Sequence, residues 1–328
     1  MKRLILTADT SSAYGLQKAG RADIAVAFQP RLVWGPLPSE AELATMVAAG
    51  TTQEPGFHWL DYRFPRDIEE VGGQNLGLIE LCERCERVEL WMETEPNDQL
   101  MLVWLLDYLC SHAKAAASKM LLCYVDRNLI GDTPEELARW KFPFVDVDND
   151  HLAIASLAWQ AYREPTPQAW FNLAKKDLSA LPLLGRCVME LLEELPGRTT
   201  GLGATEMRLL ELIGAGYSLT NGLFYRSSLR QRRVFEEREL GYLIEGLAHG
   251  PRPAIAGLDD ELRTLDKEDP GRRDEAFRRS RLSLTEFGRA ILAHQDDFSR
   301  HNPIHRWWGG TELTNDNMWR WDPVLIAP

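Results

Sequence analysis

No apolar run in this chain is long enough to cross a bilayer. The best, Leu100 to Leu106, stops at Asp107, far short of the roughly 20 residues that a spanning helix needs. Positive charge is not in excess either. With 37 Lys and Arg against 49 Asp and Glu, the formal net charge is −12, which excludes a broad nucleic-acid-coating surface and leaves room only for local basic patches. Cysteine is scarce and odd in number, five in all, which fits reduced thiols in a cytosolic protein better than a disulfide framework. The start, Met1-Lys2-Arg3-Leu4-Ile5-Leu6, turns polar too soon for a signal peptide, so it reads as mature protein. A P-loop, a G-x-G-x-x-G turn and a G-x-S-x-G elbow are all missing, so neither a standard nucleotide cradle nor a hydrolase nucleophile is on offer. The chain has no internal repeat.

What is present is an ordinary globular composition, 45% apolar and 26% charged, in 328 residues, a length that suggests two domains. Short apolar runs at 2–8, 22–28, 88–92 and 119–125 are separated by helical stretches at Ser11–Ala19 and Asp98–Lys114. Strands bridged by helices make βαβ units, so the four strands are expected to run parallel in one sheet, with a fifth at Pro143–Val147. Asp98 reads as the N-cap of its helix. From Asp148 to about Leu195 the pattern is helical, and Pro196–Gly201 is a turn-rich linker. Beyond it come helices at 205–213 and Val234–Ala248, strands at Pro253–Leu258 and Leu282–Thr285, and a helix at Glu286–Ala293. Fifteen of the 23 residues from Asp259 to Arg281 are charged, which suggests a solvated hairpin, the wing of a winged helix. The expected fold is therefore α/β. An N-terminal open parallel sheet with flanking helices spans 1–147, a helical connector 148–196, and a winged-helix-like α+β domain 197–328 ends in a Trp-rich tail.

In an open parallel sheet, ligands bind outside the carboxyl ends of the strands. Those ends carry Asp9-Thr10-Ser11-Ser12, then Glu93 to Asp98, then Asp126-Arg127-Asn128. Ser11 and Ser12 open a helix, where backbone N–H groups would suit a small anionic ligand, or would simply cap the helix. Asp9, Glu93, Glu95, Asp98 and Asp126 are hard oxygen donors of the kind that hold Mg²⁺. Cys82-x-x-Cys85 has no second pair at zinc spacing, so two partly buried thiols on one helix are expected. His294, His301 and His305 match no common metal motif.

Two arginine groups lie in the C-terminal half: Arg226, Arg230, Arg232, Arg233 and Arg238, and then Arg272, Arg273, Arg278, Arg279 and Arg281. On a wing, Arg272, Arg273, Arg278 and Arg279 would meet DNA phosphates. Against this, Glu237, Glu239 and Glu245 occupy the long helix available to read bases, which favours a solvated charged loop. Four of the eleven tryptophans, Trp307, Trp308, Trp319 and Trp321, lie in a tail too short to form a core, and are expected to staple it down.

Several segments carry a likeness to a known family. Ala8-Asp9-Thr10-Ser11-Ser12, Arg31-Leu32-Val33-Trp34-Gly35-Pro36-Leu37-Pro38 and Glu89-Leu90-Trp91-Met92-Glu93-Thr94-Glu95-Pro96-Asn97-Asp98-Gln99-Leu100 stand in order in the first half. Gly201-Leu202-Gly203-Ala204-Thr205-Glu206, Leu284-Thr285-Glu286-Phe287-Gly288-Arg289, Arg306-Trp307-Trp308-Gly309-Gly310 and Trp319-Arg320-Trp321-Asp322 follow. Together they resemble the bacterial family with the domain of unknown function numbered 1835, in its long form, although alanine stands at position 8 where that family has glycine. The resemblance implies no established activity. The candidate ligand-binding residues are Asp9, Ser11, Ser12, Trp34, Glu93, Asp98, Gln99, Asp126 and Arg127. The leading expectation is a cytosolic ligand-binding or regulatory protein with a pocket at the strand ends and no membrane association. The alternatives are a metal-assisted hydrolase or transferase using the strand-end carboxylates, and a DNA- or protein-binding winged-helix module.

Overall fold

The structure, a computed structural model, describes residues 2–28, 30–50, 76–112, 114–125, 129, 131–224, 226, 234–267 and 269–328. Packing divides the chain into two units. The first is Met1–Leu32, Leu37–Arg163 and Asn172–Cys187; the second is Val33–Pro36, Glu164–Phe171 and Val188–Pro328. The helical stretch 148–196 is thus shared between the units. Among the described residues no helix is long and apolar enough to cross a membrane.

The first unit is built on β1 (Arg3–Thr7), α1 (Thr10–Lys18), β2 (Ile24–Ala27), α2 (Glu40–Val47), α3 (Leu78–Arg84), β3 (Arg87–Met92), α4 (Pro96–His112), β4 (Met120–Tyr124), α5 (Pro134–Arg139), β5 (Phe144–Asp146) and α6 (Asn149–Arg163). The sheet order is β2-β1-β3-β4-β5, and β1–β2, β1–β3 and β3–β4 are parallel, as the sequence pattern requires. Leu4, Ile5, Leu6 and the whole of β2 are buried, the signature of strands covered on both faces. The fifth strand departs from an all-parallel sheet. It runs antiparallel to β4, with Leu122 opposite Val145. A parallel return needs a crossover that regains the amino edge; α5, six residues or roughly 9 Å long, is too short for that.

Leu100 to Leu106 are buried without exception, so the longest apolar run is a core helix. It packs along α6. Asp98 is not its N-cap. The helix starts at Pro96, and the Asp98 and Gln99 amides bond back to the Glu95 carbonyl at 3.0 and 3.1 Å. Cys82 and Cys85 are buried free thiols, and desolvation pushes both upward, away from the thiolate that redox or zinc chemistry needs.

The chain division falls within α7 (Gln168–Leu173) and α8 (Leu184–Glu193). The second unit continues with α9 (Ala204–Gly214), α10 (Thr220–Phe224), α11 (Glu237–His249), β6 (Ile255–Ala256), α12 (Pro270–Arg279), β7 (Ser283–Leu284) and α13 (Glu286–Leu292). Its core gathers Leu209, Leu240, Leu243, Leu247, Phe277 and Phe287. β6 and β7 pair antiparallel over two residues each. The charged stretch between them is no hairpin. Asp259 caps a short 3-10 turn, and Asp269 then caps α12, its carboxylate accepting the Arg272 amide at 3.1 Å with Pro270 behind it. That is a helix start. In α13, the Thr285 hydroxyl donates to the Pro253 carbonyl (2.8 Å) and accepts from the Gly288 amide (3.0 Å); a Cβ on Gly288 would collide with the Ala254 carbonyl.

The tail is held down, with Trp308 buried as expected and Trp307, Trp319 and Trp321 half-buried. β8 (His305–Trp308) and β9 (Thr311–Thr314) form a hairpin, and β10 (Arg320–Trp321) pairs with β11 (Leu325–Ile326). The Trp308 indole donates to the Leu191 carbonyl (2.7 Å), the Trp321 amide to that of Pro196 (3.0 Å), and Arg320 bonds Asp297 (3.0 Å). Arg306 bonds Glu206 at 2.7 Å beside Glu194, whose carboxylate accepts the Thr205 hydroxyl (2.5 Å) and amide (3.2 Å).

Candidate functional site

From β1 the chain winds outward to β2, then returns past β1 to β3 and continues to β4. The carboxyl ends of β1 and β3 therefore flank the point at which strand order reverses, where such sheets open a crevice. The residue just past β3 is Glu93. It is 5% exposed, and its Oε1 accepts from the Ser12 hydroxyl (3.4 Å) and the Leu129 amide (3.2 Å). One carboxylate thus joins the segments that follow β1, β3 and β4. Burial raises it to about 7, with the charges of Glu95 and Asp9 acting in the same direction and the two hydrogen bonds against it.

The segment after Glu93 is folded back upon it. The Gln99 amide group donates to the Glu93 carbonyl (2.6 Å), and the Glu93 amide donates to Asp98 (3.3 Å). Burial holds the Asp98 carboxyl well above its usual range, as do Glu95 and Glu93, while the Glu93 amide and Arg31 pull it down. Asn97 works outward instead, accepting the Leu32 amide (2.8 Å) and donating to the Pro30 carbonyl (3.0 Å). The Asn97-Asp98-Gln99 segment therefore positions the loop more than it offers free groups.

Asp9 caps α1, its Oδ1 accepting the Ser12 amide at 2.7 Å. That removes a donor from the expected anion site and puts a negative charge in its place. Ser11 is exposed and Ser12 buried. So Asp9, Ser12, Glu93, Asp98 and Gln99 come together. Trp34 belongs to the second unit. Its ring packs against Phe235 (5.6 Å) and Tyr242 (5.8 Å) in the second unit. Asp126 and Arg127 lie outside the described residues. Among the described residues no three His, Cys, Asp or Glu side chains form a group that could hold a metal ion.

The arginines expected to face phosphate are partly engaged within the protein. Arg273 is 5% exposed, ion-paired with Glu245 and set over the Tyr242 ring. Arg279 bonds Asp259 (2.7 Å) and Glu261 (2.9 Å). Arg272 and Arg278 are exposed. Arg226 lies 3.7 Å over the Tyr217 ring and Arg238 bonds the Tyr242 hydroxyl (3.0 Å), while Arg230, Arg232 and Arg233 lie outside the described residues. Of the glutamates on α11, Glu239 is buried, accepting the Glu236 amide (2.9 Å), and Glu245 holds Arg273, so neither presents a free charge to a phosphate. His301 pairs with Asp296 (3.0 Å) and His305 with Glu312 (2.9 Å), while the His294 ring meets the Thr199 hydroxyl (2.9 Å).

No protein-family model matches the chain, and no curated protein matches its sequence. Two groups escaped the sequence reading: the Leu129 amide and the loop-holding Asn97. Neither carries a local sequence signal, since each acts through a partner distant in the chain.

Proposed function

We propose that this is a ligand-binding or regulatory protein whose site lies at the carboxyl ends of β1 and β3. The observation that carries this reading is Glu93, a buried carboxylate held by groups from the segments after β1 and β4 at the reversal of strand order. A carboxyl poised near neutrality in such a place suits recognition of a ligand, or proton exchange with one. The anion-binding form of the idea has less support, because Asp9 already occupies the helix N-terminus. A metal-assisted enzyme also has less support, because the described carboxylates form no metal-sized group. Nucleic-acid binding through the second unit would rest on arginines such as Arg272 and Arg278, which are exposed.

A cytoplasmic setting is proposed from the odd cysteine count, and kinship with the bacterial 1835 family from the motif likeness. A thermal-shift screen of amines, sugars, nucleotides, phosphate and divalent ions tests the function. A ligand at 100 times its Kd adds about 2.7 kcal/mol, and that shift should vanish in Glu93→Gln. A ligand whose effect survives the substitution would place the site elsewhere.

A further inference from the structure

The same face of the sheet holds a buried polar group that no described residue bonds. Thr7 is 1% exposed, and its hydroxyl has no hydrogen-bond partner among the described residues. Side chains alternate along a strand, so Thr7 points to the side of Ile5, which clusters with Ala13 and Leu16 of α1. Thr7 is in register with Trp91, a member of the same cluster, and Glu93 follows two residues beyond. The orphan hydroxyl therefore faces the side on which Ser12 of α1 meets Glu93. Buried hydroxyls are bonded as a rule, and an exception asks for an explanation, an absent partner being one.

Resting on the strand-end reading above, we propose that the absent partner is an organic cation, whose primary or secondary ammonium group is received by the Glu93 carboxylate and the Thr7 hydroxyl. Charge decides the class. Asp9, Glu93, Glu95 and Asp98 act on one another electrostatically, with Arg31 opposing them at Asp98, so the field repels phosphate. Geometry then separates an ammonium from a bare metal ion. Mg²⁺ or Ca²⁺ needs several oxygens converging at about 2.0–2.6 Å, and the described acidic groups do not converge in that way. An ammonium needs only acceptors at ordinary hydrogen-bond distance, and a hydroxyl and a carboxylate are such acceptors.

Calorimetric titration of the full chain with putrescine and spermidine at pH 6 and pH 8 tests the assignment, with MgCl2, inorganic phosphate and glucose alongside. An amine should bind once per chain, about tenfold more tightly at pH 8 than at pH 6, because Glu93 gives up its proton on binding. Thr7→Val should weaken it by about fivefold while keeping the pH ratio, as expected for one lost hydrogen bond. Glu93→Gln should weaken it and flatten the ratio to near one. Failure of both amines to bind at millimolar concentration overturns the cation assignment. If phosphate or glucose binds instead and Glu93→Gln abolishes that binding, the assignment falls but the strand-end site stands. Amine binding unchanged in both variants overturns both.

Discussion

Glu194 and Glu93 are both carboxyls whose burial lifts them from an ordinary 4.5 to about 7, and each makes the protein sensitive to pH. For Glu194 the Thr205 bonds and Arg306 pull downward, Glu206 pushes upward, and desolvation prevails. A carboxyl whose folded value lies above its unfolded one keeps its proton longer in the folded state. Its cost is therefore absent below about pH 4.5, grows as pH rises toward 7, and stands in full above that. Glu194→Gln should leave stability near pH 4 almost unchanged and raise it at pH 8 by up to about 3 kcal/mol. Urea unfolding of both proteins at the two pH values measures this; equal gains at both would mean that the carboxyl does not titrate as described. Thr7→Val offers a different test at the same scale. Removing an unpartnered buried hydroxyl should stabilise the ligand-free protein by about 1–3 kcal/mol, seen as a higher urea midpoint with unchanged m. A loss of stability would show that the hydroxyl is bonded after all.

Among the elements, α12 shows how charge can mislead. Its sequence is charged enough to suggest a solvated loop, yet Arg273, Ala276 and Phe277 fall on one helical side and are buried there. The start signal, Asp269 followed by Pro270, was legible beforehand; the burial of an arginine was not, because its partner Glu245 stands 28 residues away on α11. Removing one member of a buried pair leaves the other uncompensated. Arg273→Met should cost about 3–5 kcal/mol, and adding Glu245→Gln should recover most of it, whereas Arg272→Ala should change stability by less than ~0.5 kcal/mol. Denaturant curves for these variants decide the matter, and a cheap Arg273→Met would refute the buried pair. The parallel strands were readable from apolar runs and helical spacers. The reversal of β5 was not, because it depends on how far α5 reaches. Asp9, Ser12 and Glu93 could be brought together from sequence because a strand-end rule converts chain position into place. Trp34 could not, since no local pattern says that a loop between two elements of the first unit packs among Phe235 and Tyr242 of the second.

For the molecule as a whole, the tail is a structural member of the second unit. Deleting residues 306–328 removes Trp308 from the Leu191 carbonyl, Arg306 from Glu206 and Arg320 from Asp297, so that each of these acceptors loses a donor. The truncated protein should melt several degrees lower in calorimetry; an unchanged Tm would show that the tail merely rests on the surface. The route of the chain has a further consequence. Val33–Pro36 and Glu164–Phe171 belong to the second unit although the residues on either side of each belong to the first. No single cut in the gene therefore yields both units whole. A fragment beginning at Val188 lacks the Trp34 ring that lies against Phe235 and Tyr242, and one ending at Cys187 carries that ring with nothing to receive it. Inheritance must then treat the pair as one piece, for neither unit can be shuffled into another gene as a contiguous cassette without leaving part of itself behind.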